Sequence, residues 1–374
     1  MATKLIAPLL RLLTINLLVL AIPTLILELI FGRWLKHDPI TAVPEIARTA
    51  GVKMSYRTGG LTGEDVLVNF ERDQLGLRGF NRNGKPLAIV IGGSTGIEQN
   101  VPLDLTWAER LERQLNASGI NIEIANGSVS GQTLFGNSFA VDEWVSKIPV
   151  KPSIFIVYYG HNDAIYTLAG IPPGGRDFAA KGGEDFDLWQ HISANSAIAM
   201  LARELKGNYQ SLVTGNRHLY DYRPGPLPRV ATAKGLPIPA ISKIAVGQLY
   251  RSAINNLISS FEKHYSRKTV IFVAQSNPNC RFISPDLYFT QDGSRNTTCE
   301  RLAAFHRYVS TLTRTLDSQS LHQNCYRYIP LYLHNPYDRT GASDFIHANS
   351  RGSLGIANQL APLVRATLKK PCAK

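Results

Sequence analysis

The chain lacks several patterns that mark specialised protein classes. Its 374 residues contain no low-complexity tract and no internal repeat. No pair of cysteines has the C-x-x-C spacing, which argues against a zinc site. Although the net charge is +12, no more than two Lys or Arg residues stand in succession, which argues against a nucleic-acid partner. We interpret the basic surface as solvated, with some affinity for anionic envelope material.

Cysteine is scarce and confined to the last quarter of the chain. The four cysteines are Cys280, Cys299, Cys325 and Cys372. An even number is consistent with disulfides in an oxidising compartment. Cys280 and Cys299 flank a polar, turn-rich loop, so we expect them to pair, although three pairings are formally possible. The alternative is four unpaired, half-buried thiols.

Charge is absent from residues 12–27, and Glu28 alone interrupts the apolar character that continues to Phe31. About 20 such residues cross a bilayer. A cleaved signal peptide would need a small-x-small site, which the sequence does not offer near Pro23. A buried core helix would usually keep a polar face. An uncleaved membrane anchor over residues 12–31 fits best.

The charges beside this segment hardly set its orientation. Lys4 and Arg11 precede the apolar residues, and Arg33 and Lys36 follow them. We expect residues 1–11 to be cytoplasmic and the bulk of the chain to be extracytoplasmic (periplasmic). The sequence thus predicts a single-pass protein of the cell membrane.

Beyond a polar, irregular lead-in (32–84), short apolar runs alternate with segments of helical spacing. The predicted strands are Leu87–Ile91, Ile122–Ala125, Ser153–Tyr159, Thr269–Ala274 and a run near Tyr328–Leu333. Residues 166–240, rich in Gly and Pro, predict an insertion or lid. The alternation predicts an α/β fold whose parallel sheet is covered on both faces. Ligands of such sheets bind at the carboxyl ends of the strands.

Two glycines separate Ser94 from the first predicted strand, in Gly-Gly-Ser-Thr at 92–95. Glycines let the backbone turn sharply there and expose the serine at the head of a helix. Ser94 could instead be only a helix N-cap. The stretch is also similar to the cofactor loop of short-chain dehydrogenases. That family has a third glycine where this chain has Glu98 and needs a Tyr-x-x-x-Lys pair, which is absent.

The next two predicted strands are each followed by a candidate oxyanion donor. Gly131 ends Asn-Gly-Ser-Val-Ser-Gly, and its backbone N–H could face a developing oxyanion. Asn162 lies in Gly-His-Asn-Asp, and its carboxamide N–H could do the same. The simpler interpretations are a turn glycine and a turn-forming asparagine. We expect Asp163 to brace its loop.

His347 is the natural general base, because its unperturbed pKa lies near neutrality. It ends Asp-Phe-Ile-His, directly before the closing predicted helix. Asp344 precedes it by three residues, so both side chains can face one way on a turn or helix. The carboxylate would hold the imidazole tautomer and stabilise the imidazolium. His161 is the only other histidine that we place in the cleft.

Together these stretches resemble blocks I, II, III and V of the SGNH (GDSL-like) hydrolase family. The resemblance covers roughly residues 72–369 and implies a three-layer, flavodoxin-like α/β sandwich, with the hydrolase domain at 85–369. It implies Ser94 as nucleophile, His347 as base and Asp344 as acid. The lead-in Gly-Leu-Arg-Gly at 76–79 also resembles membrane-anchored bacterial members.

The resemblance places the oxyanion hole at the Ser94 backbone, Gly131 and Asn162. Two positions depart from the family pattern. The usual Asp before the serine is Gly93 here, and the usual Leu after it is Thr95. Neither change removes a catalytic group, but both leave the subfamily open.

The resemblance implies a serine esterase that needs no metal and no organic cofactor. We expect it to hydrolyse an acyl or acetyl ester on an envelope glycan or lipid through an acyl-enzyme. One alternative is an O-acetyltransferase, in which a sugar hydroxyl replaces water as the acceptor. Another is a non-catalytic envelope protein that binds polysaccharide. The sequence leaves the oligomeric state open.

Overall fold

The computed structural model describes residues 3–35, 39–51, 53–58, 66–168, 192, 195–214, 236–237, 246–290, 295–318, 324–343 and 346–370. The helices are α1 Thr3–Phe31, α2 Pro44–Thr49, α3 Ser94–Ile97, α4 Trp107–Ala117, α5 Leu134–Ala140, α6 His161–Leu168, α7 Ala197–Thr214, α8 Val246–His264, α9 Thr297–Ser318 and α10 Ser350–Leu368. The strands are β1 Lys53–Arg57, β2 Leu67–Glu71, β3 Leu87–Gly92, β4 Glu123–Asn126, β5 Ile154–Tyr159, β6 Leu236–Pro237, β7 Thr269–Ala274, β8 Cys280–Ser284, β9 Leu287–Thr290 and β10 Cys325–Ile329.

A parallel sheet of five strands forms the centre of the described fold, in the order β10-β7-β5-β3-β4. Numbered along the chain within this sheet, the order is 2-1-3-4-5, which is that of flavodoxin-like folds. Strand β3 is buried along its whole length, as expected for a central parallel strand. The predicted α/β fold with a parallel sheet is confirmed.

Each face of the sheet has its own apolar core. Successive side chains of β5 point to opposite faces of the sheet. Phe155 and Val157 lie in one core, and Ile156 and Tyr158 lie in the other. Helices α5, α8 and α9 cover the first face, while α4 and α10 cover the second. The three layers follow from the period-2 direction of side chains along a strand.

The lead-in is more ordered than the sequence suggested. It contains α2 and the antiparallel pair β1–β2. Two of its arginines are buried: Arg72 donates to Ser128 O at 2.7 Å, and Arg78 donates to Ile97 O at 2.6 Å. Carbonyl groups accept these charged donors in place of water. The lead-in therefore supports the segments that follow β3 and β4.

Two further expectations need correction. The last strand is β10, Cys325–Ile329, and the predicted run from Tyr328 passes instead into a 3₁₀ turn at Leu331–His334. The region between Cys280 and Cys299 is not merely a loop, because β8 and β9 form a hairpin there. Within 166–240 the structure describes α7 and β6, and the rest of that predicted insertion lies mostly outside the described residues.

Helix α1 contains the apolar segment Thr14–Phe31, which has a mean hydropathy of 2.2 and is long enough to cross a membrane. None of this window is buried against the rest of the chain, so α1 is not a core helix of the folded domain. Arg33, directly after α1, donates to Ala50 O at 3.0 Å and thereby ties the end of α1 to α2.

The expected disulfide between Cys280 and Cys299 is present. It joins the start of β8 to the first turn of α9, with the two Cα atoms 6.4 Å apart. Cys325 is also disulfide-bonded, whereas Cys372 lies outside the described residues. The alternative of four free thiols is wrong.

Candidate active site

Ser94 is the first residue of α3, and Gly93 is the only residue between it and β3. Strands β3 and β5 are neighbours in the sheet. The chain continues from β3 to β4 at one edge of the sheet, whereas from β5 it continues to β7 and then to β10 at the other edge. This is the topological switch point at which ligands bind in such sheets. Ser94 is half-buried, and its hydroxyl makes no hydrogen bond to a described residue. Its position suits a nucleophile that is reached from the end of the sheet.

Three candidate oxyanion donors come from segments that the structure brings together. Asn162, in the first turn of α6, donates from Nδ2 to Gln132 O at 2.9 Å. A Cβ atom at Gly93 would lie 2.4 Å from the same Nδ2 and 3.0 Å from Gln132 O. The loop after β4 therefore lies against both Gly93 and Asn162. A side chain at position 93 would displace the Asn162 amide from its hydrogen bond with Gln132 O. This close approach explains why position 93 is a glycine.

The backbone at Gly131 adopts a conformation that favours glycine, with φ at +71°. Within the described residues, the amide of Gly131 has no acceptor, and the same holds for the amide of Ser94 at the start of its helix. Both N–H groups can therefore donate to a ligand. The second hydrogen of Asn162 Nδ2 is a third donor. Backbone N–H groups and Asn amides of this kind are the donors that form oxyanion holes. Asp163 braces this region by accepting from Leu134 N at 3.0 Å.

Gln275, which sequence reasoning missed, joins the segments on which Ser94 and Asn162 lie. Its buried side chain follows β7 and donates from Nε2 to Thr95 Oγ1 at 2.9 Å and to Tyr158 O at 3.0 Å. Its Oε1 accepts from His161 N at 3.2 Å. Thr95 and His161 are the immediate neighbours of Ser94 and Asn162. One amide thus fixes the start of α3 relative to the start of α6.

We expect Gln275→Met to lower kcat for a simple aryl ester by about 10- to 100-fold with little change in KM. A shift of about 1 Å between reacting groups costs that much, and methionine fills the space without any of the three hydrogen bonds. Gln114→Met is the control, because Gln114 lies on α4 and its side chain bonds only to Asn358 among the described residues. A purely structural role for Gln275 would lower the melting temperature while leaving kcat of the folded enzyme unchanged.

His347 lies three residues ahead of α10, half-buried, in a segment held by backbone contacts. Its carbonyl accepts from Ser343 N at 2.7 Å, and the preceding Ile346 O accepts from the Tyr337 hydroxyl at 3.0 Å. Asp344, the predicted acid, lies outside the described residues. The pairing of acid and base therefore stays a prediction.

A buried polar bridge joins the segment after Ser94 to the helix after His347. Glu98, one residue beyond α3, contacts the hydroxyl of Ser353 in the first turn of α10 and accepts from Trp107 N at 2.6 Å. Arg110 in α4 also donates to Ser350 O at 2.5 Å. These contacts hold the start of α10, and with it the His347 segment, against the α3 side of the sheet.

Burial raises the pKa of Glu98 to about 8, because desolvation outweighs its hydrogen bonds and the nearby Arg78. The hydrogen-bond inventory agrees. Ser353 has one hydroxyl hydrogen, yet its oxygen contacts both Glu98 Oε1 and Asn349 O. A neutral Glu98 that donates to Ser353 satisfies the network, since Ser353 then donates to Asn349 O. The raised pKa and this network together favour a protonated Glu98 carboxyl at neutral pH.

This raised pKa predicts that stability falls as the solution becomes alkaline. Below pH 4.5, the ordinary value, the carboxyl is neutral in both folded and unfolded chains. Between there and about 8 the folded chain holds a proton that the unfolded chain releases, so the free energy of unfolding declines as pH rises. In urea unfolding across this pH range, the free energy of unfolding of Glu98→Gln should decline less than that of wild type. Glu71→Gln, at an exposed site, should show the wild-type decline. If the free energy of unfolding of Glu98→Gln falls with pH as steeply as that of wild type, the Glu98 carboxyl is not neutral in the folded chain.

The fold and this edge of the sheet define a class of protein: a flavodoxin-like α/β protein with a serine at a helix N-terminus and N–H donors on the adjoining segments. The model of the GDSL-like lipase/acylhydrolase family matches residues 80–360. The chain belongs to that family. It is accordingly a serine hydrolase that acts on esters.

The solved structures to which this chain is similar share little sequence with it. A carbohydrate esterase of family 3 from Talaromyces cellulolyticus is 11% identical, covers 76% of this chain and 98% of its own, and has a TM-score of 0.39. The psychrotrophic esterase EstA from a Pseudoalteromonas species is 12% identical; the match covers 76% of this chain and 99% of EstA, with a TM-score of 0.41. The acetylxylan esterase Axe2 from Geobacillus stearothermophilus is 11% identical; the match covers 74% of this chain and 93% of Axe2, with a TM-score of 0.41. No curated protein sequence matches. We draw nothing about the substrate from these likenesses.

Proposed function

We propose that this protein is a membrane-anchored serine esterase that removes an acyl or acetyl group from an envelope glycan or lipid. Ser94 Oγ attacks the ester carbonyl carbon while His347 takes the hydroxyl proton. The resulting oxyanion accepts hydrogen bonds from Ser94 N, Gly131 N and Asn162 Nδ2. His347 then gives its proton to the leaving alcohol oxygen, and the C–O bond to that oxygen breaks.

The acyl-enzyme is resolved by water. His347 takes a proton from the water molecule, whose oxygen attacks the acyl carbon. His347 then returns that proton to Ser94 Oγ as the Oγ–C bond breaks, which releases the carboxylic acid and restores the serine. In this proposal Asp344 orients the imidazole and stabilises its charged form. No step needs an oxidant, a metal or an organic cofactor.

The observation that carries the proposal is the convergence at the switch point. Ser94 begins α3, and its hydroxyl makes no hydrogen bond to a described residue. The backbone amides of Ser94 and Gly131 have no acceptor among the described residues either. The Asn162 carboxamide is held against Gly93 by Gln132 O. A serine that served only to cap a helix would not need an asparagine amide and a loop glycine without a described N–H acceptor on the adjoining segments.

The extracytoplasmic location is supported by two features. Helix α1 is apolar over Thr14–Phe31, and none of this window is buried against the rest of the chain, as expected of a membrane anchor. The disulfide between Cys280 and Cys299 is typical of an oxidising compartment. A glycan or lipid of the envelope is the ester that an enzyme anchored there would meet.

The test is ester turnover by the purified full-length chain in detergent. We expect release of carboxylic acid from an aryl acetate and from an acetylated oligosaccharide. Product analysis with an unacetylated glycan present separates the two acceptors, because a transferase would place the acyl group on a sugar hydroxyl instead of water. A folded protein that consumes neither ester would contradict the proposed function.

A further inference from the structure

Helix α7, Ala197–Thr214, carries a stripe of exposed apolar side chains that nothing in the described fold covers. The stripe consists of Ile198, Leu201, Leu205 and Tyr209, whose exposed fractions run from 45% to 66%. Their spacing of three and four residues places them on one face of the helix. Single exposed apolar residues are ordinary, but a stripe along a helix indicates a contact surface.

The N-terminus of α7 is fixed to the end of the apolar helix α1. The Glu28 carboxylate accepts from Ser196 Oγ at 2.6 Å, from Ala197 N at 2.8 Å and from Ile198 N at 3.1 Å. A negative charge is stabilising at a helix N-terminus, where backbone amides lack partners. In addition, Arg33 N donates to Asn195 O at 2.8 Å. The stripe thus begins where α1 ends.

Apolar and aromatic side chains continue across this junction. Ile30 and Phe31 at the end of α1 are exposed, and Leu35 just beyond them is 75% exposed. Trp34 donates from Nε1 to Glu28 Oε2 at 2.9 Å, which holds its ring beside the same carboxylate. Trp and Tyr are the residues enriched at the boundary between lipid and water. Trp34 and Tyr209 bracket the junction and the stripe.

We propose that α7 lies in the interfacial region of the bilayer that α1 crosses, with the stripe buried among lipid headgroups and acyl chains. The proposal rests on the proposed anchoring by α1. An amphipathic helix of this kind sinks its apolar face about 5–10 Å into the headgroup boundary. The net charge of +12 adds attraction to anionic lipids.

This placement would hold the catalytic edge near the membrane surface. Helix α7 contacts β1. On β1, the Tyr56 hydroxyl donates to Gln99 O, in the segment directly after α3. The side chains of Tyr56 and Ile97 share one small apolar cluster. Two packed contacts therefore connect the interfacial helix to the helix that begins with Ser94, so the enzyme would meet its ester at the lipid surface.

The test measures the depth of single probes in the full-length protein. The described cysteines Cys280, Cys299 and Cys325 are disulfide-bonded, and the unsubstituted chain treated with the same reagent gives the background labelling. Leu205→Cys, Leu20→Cys in α1 and Leu354→Cys in α10 are each labelled with an environment-sensitive fluorophore and reconstituted into vesicles containing anionic lipid. All three leucines are exposed in the folded chain. Lipids carrying nitroxides at shallow or deep positions then quench the probes.

We expect the Leu205 probe to shift to the blue and to be quenched more by shallow than by deep nitroxides. The probe at position 20 should be quenched more by deep than by shallow nitroxides. The probe at position 354 should be quenched only by aqueous iodide. A Leu205 probe that iodide alone quenches, beside a lipid-buried Leu20 probe, overturns the inference and leaves the anchoring intact. A Leu205 probe shielded from both quenchers means that protein covers the stripe and also overturns it. A Leu20 probe in water overturns the anchoring and the inference together.

Discussion

Replacing Ser94 by alanine is expected to lower kcat for an aryl acetate by about 10⁴-fold or more, leaving only the background from bound donors. In the proposed mechanism Ser94 Oγ forms the covalent bond of the acyl-enzyme, and alanine has no atom that can take its place. The fold should persist, since this hydroxyl makes no hydrogen bond to a described residue. Far-ultraviolet circular dichroism and the melting temperature check that point.

The matched control is Ser153→Ala. Ser153 is exposed and lies directly before β5, at the opposite end of the strands from Ser94. Its loss should leave kcat and KM at wild-type values. If Ser94→Ala hydrolyses the ester as fast as Ser153→Ala, Ser94 is not the nucleophile.

The second large effect is expected for His347→Ala, which should lower kcat by at least about 10³-fold. Without the imidazole, no base takes the proton from Ser94 and no acid protonates the leaving oxygen. The hydrogen bond from Ser343 N goes to the His347 carbonyl, which the substitution keeps, and circular dichroism checks that the fold persists. Added imidazole should restore part of the rate, because it can occupy the space of the missing ring.

His334→Ala serves as the control, because His334 is exposed at the end of a 3₁₀ turn. It should keep wild-type kinetics and show no response to imidazole. A His347→Ala enzyme with wild-type kcat would remove His347 from the mechanism and direct attention to His161, which is buried at the start of α6 beside Asn162.

The sheet, and the positions of the candidate oxyanion donors at the ends of its strands, could be read from the sequence because their signals are local. Continuous apolar runs mark β3 and β5, and a small or polar residue follows each of them. The same rule could have found Gln275, which directly follows the buried strand β7. It was missed because glutamine there belongs to no short motif. Its role depends on the neighbours Thr95 and His161, which are distant in sequence.

Other features could not be predicted because they depend on tertiary contacts. Arg78 and Glu98 are charged residue types that normally stay in water, yet both are buried here. Three backbone carbonyls surround the Arg78 guanidinium, and a serine from the far end of the chain meets Glu98. Similarly, the apolar spacing of α7 can be read from the sequence, but its attachment to Glu28 cannot.

The most direct test of the central claim is labelling of the full-length protein with a fluorophosphonate, followed by peptide mass spectrometry. The reagent phosphonylates an activated serine with loss of fluoride. We predict one adduct per chain, on the peptide that contains Ser94, with ester hydrolysis lost in proportion to labelling. An ester-hydrolysing protein that carries the adduct on another residue, or none, would contradict the assignment of Ser94 as the nucleophile.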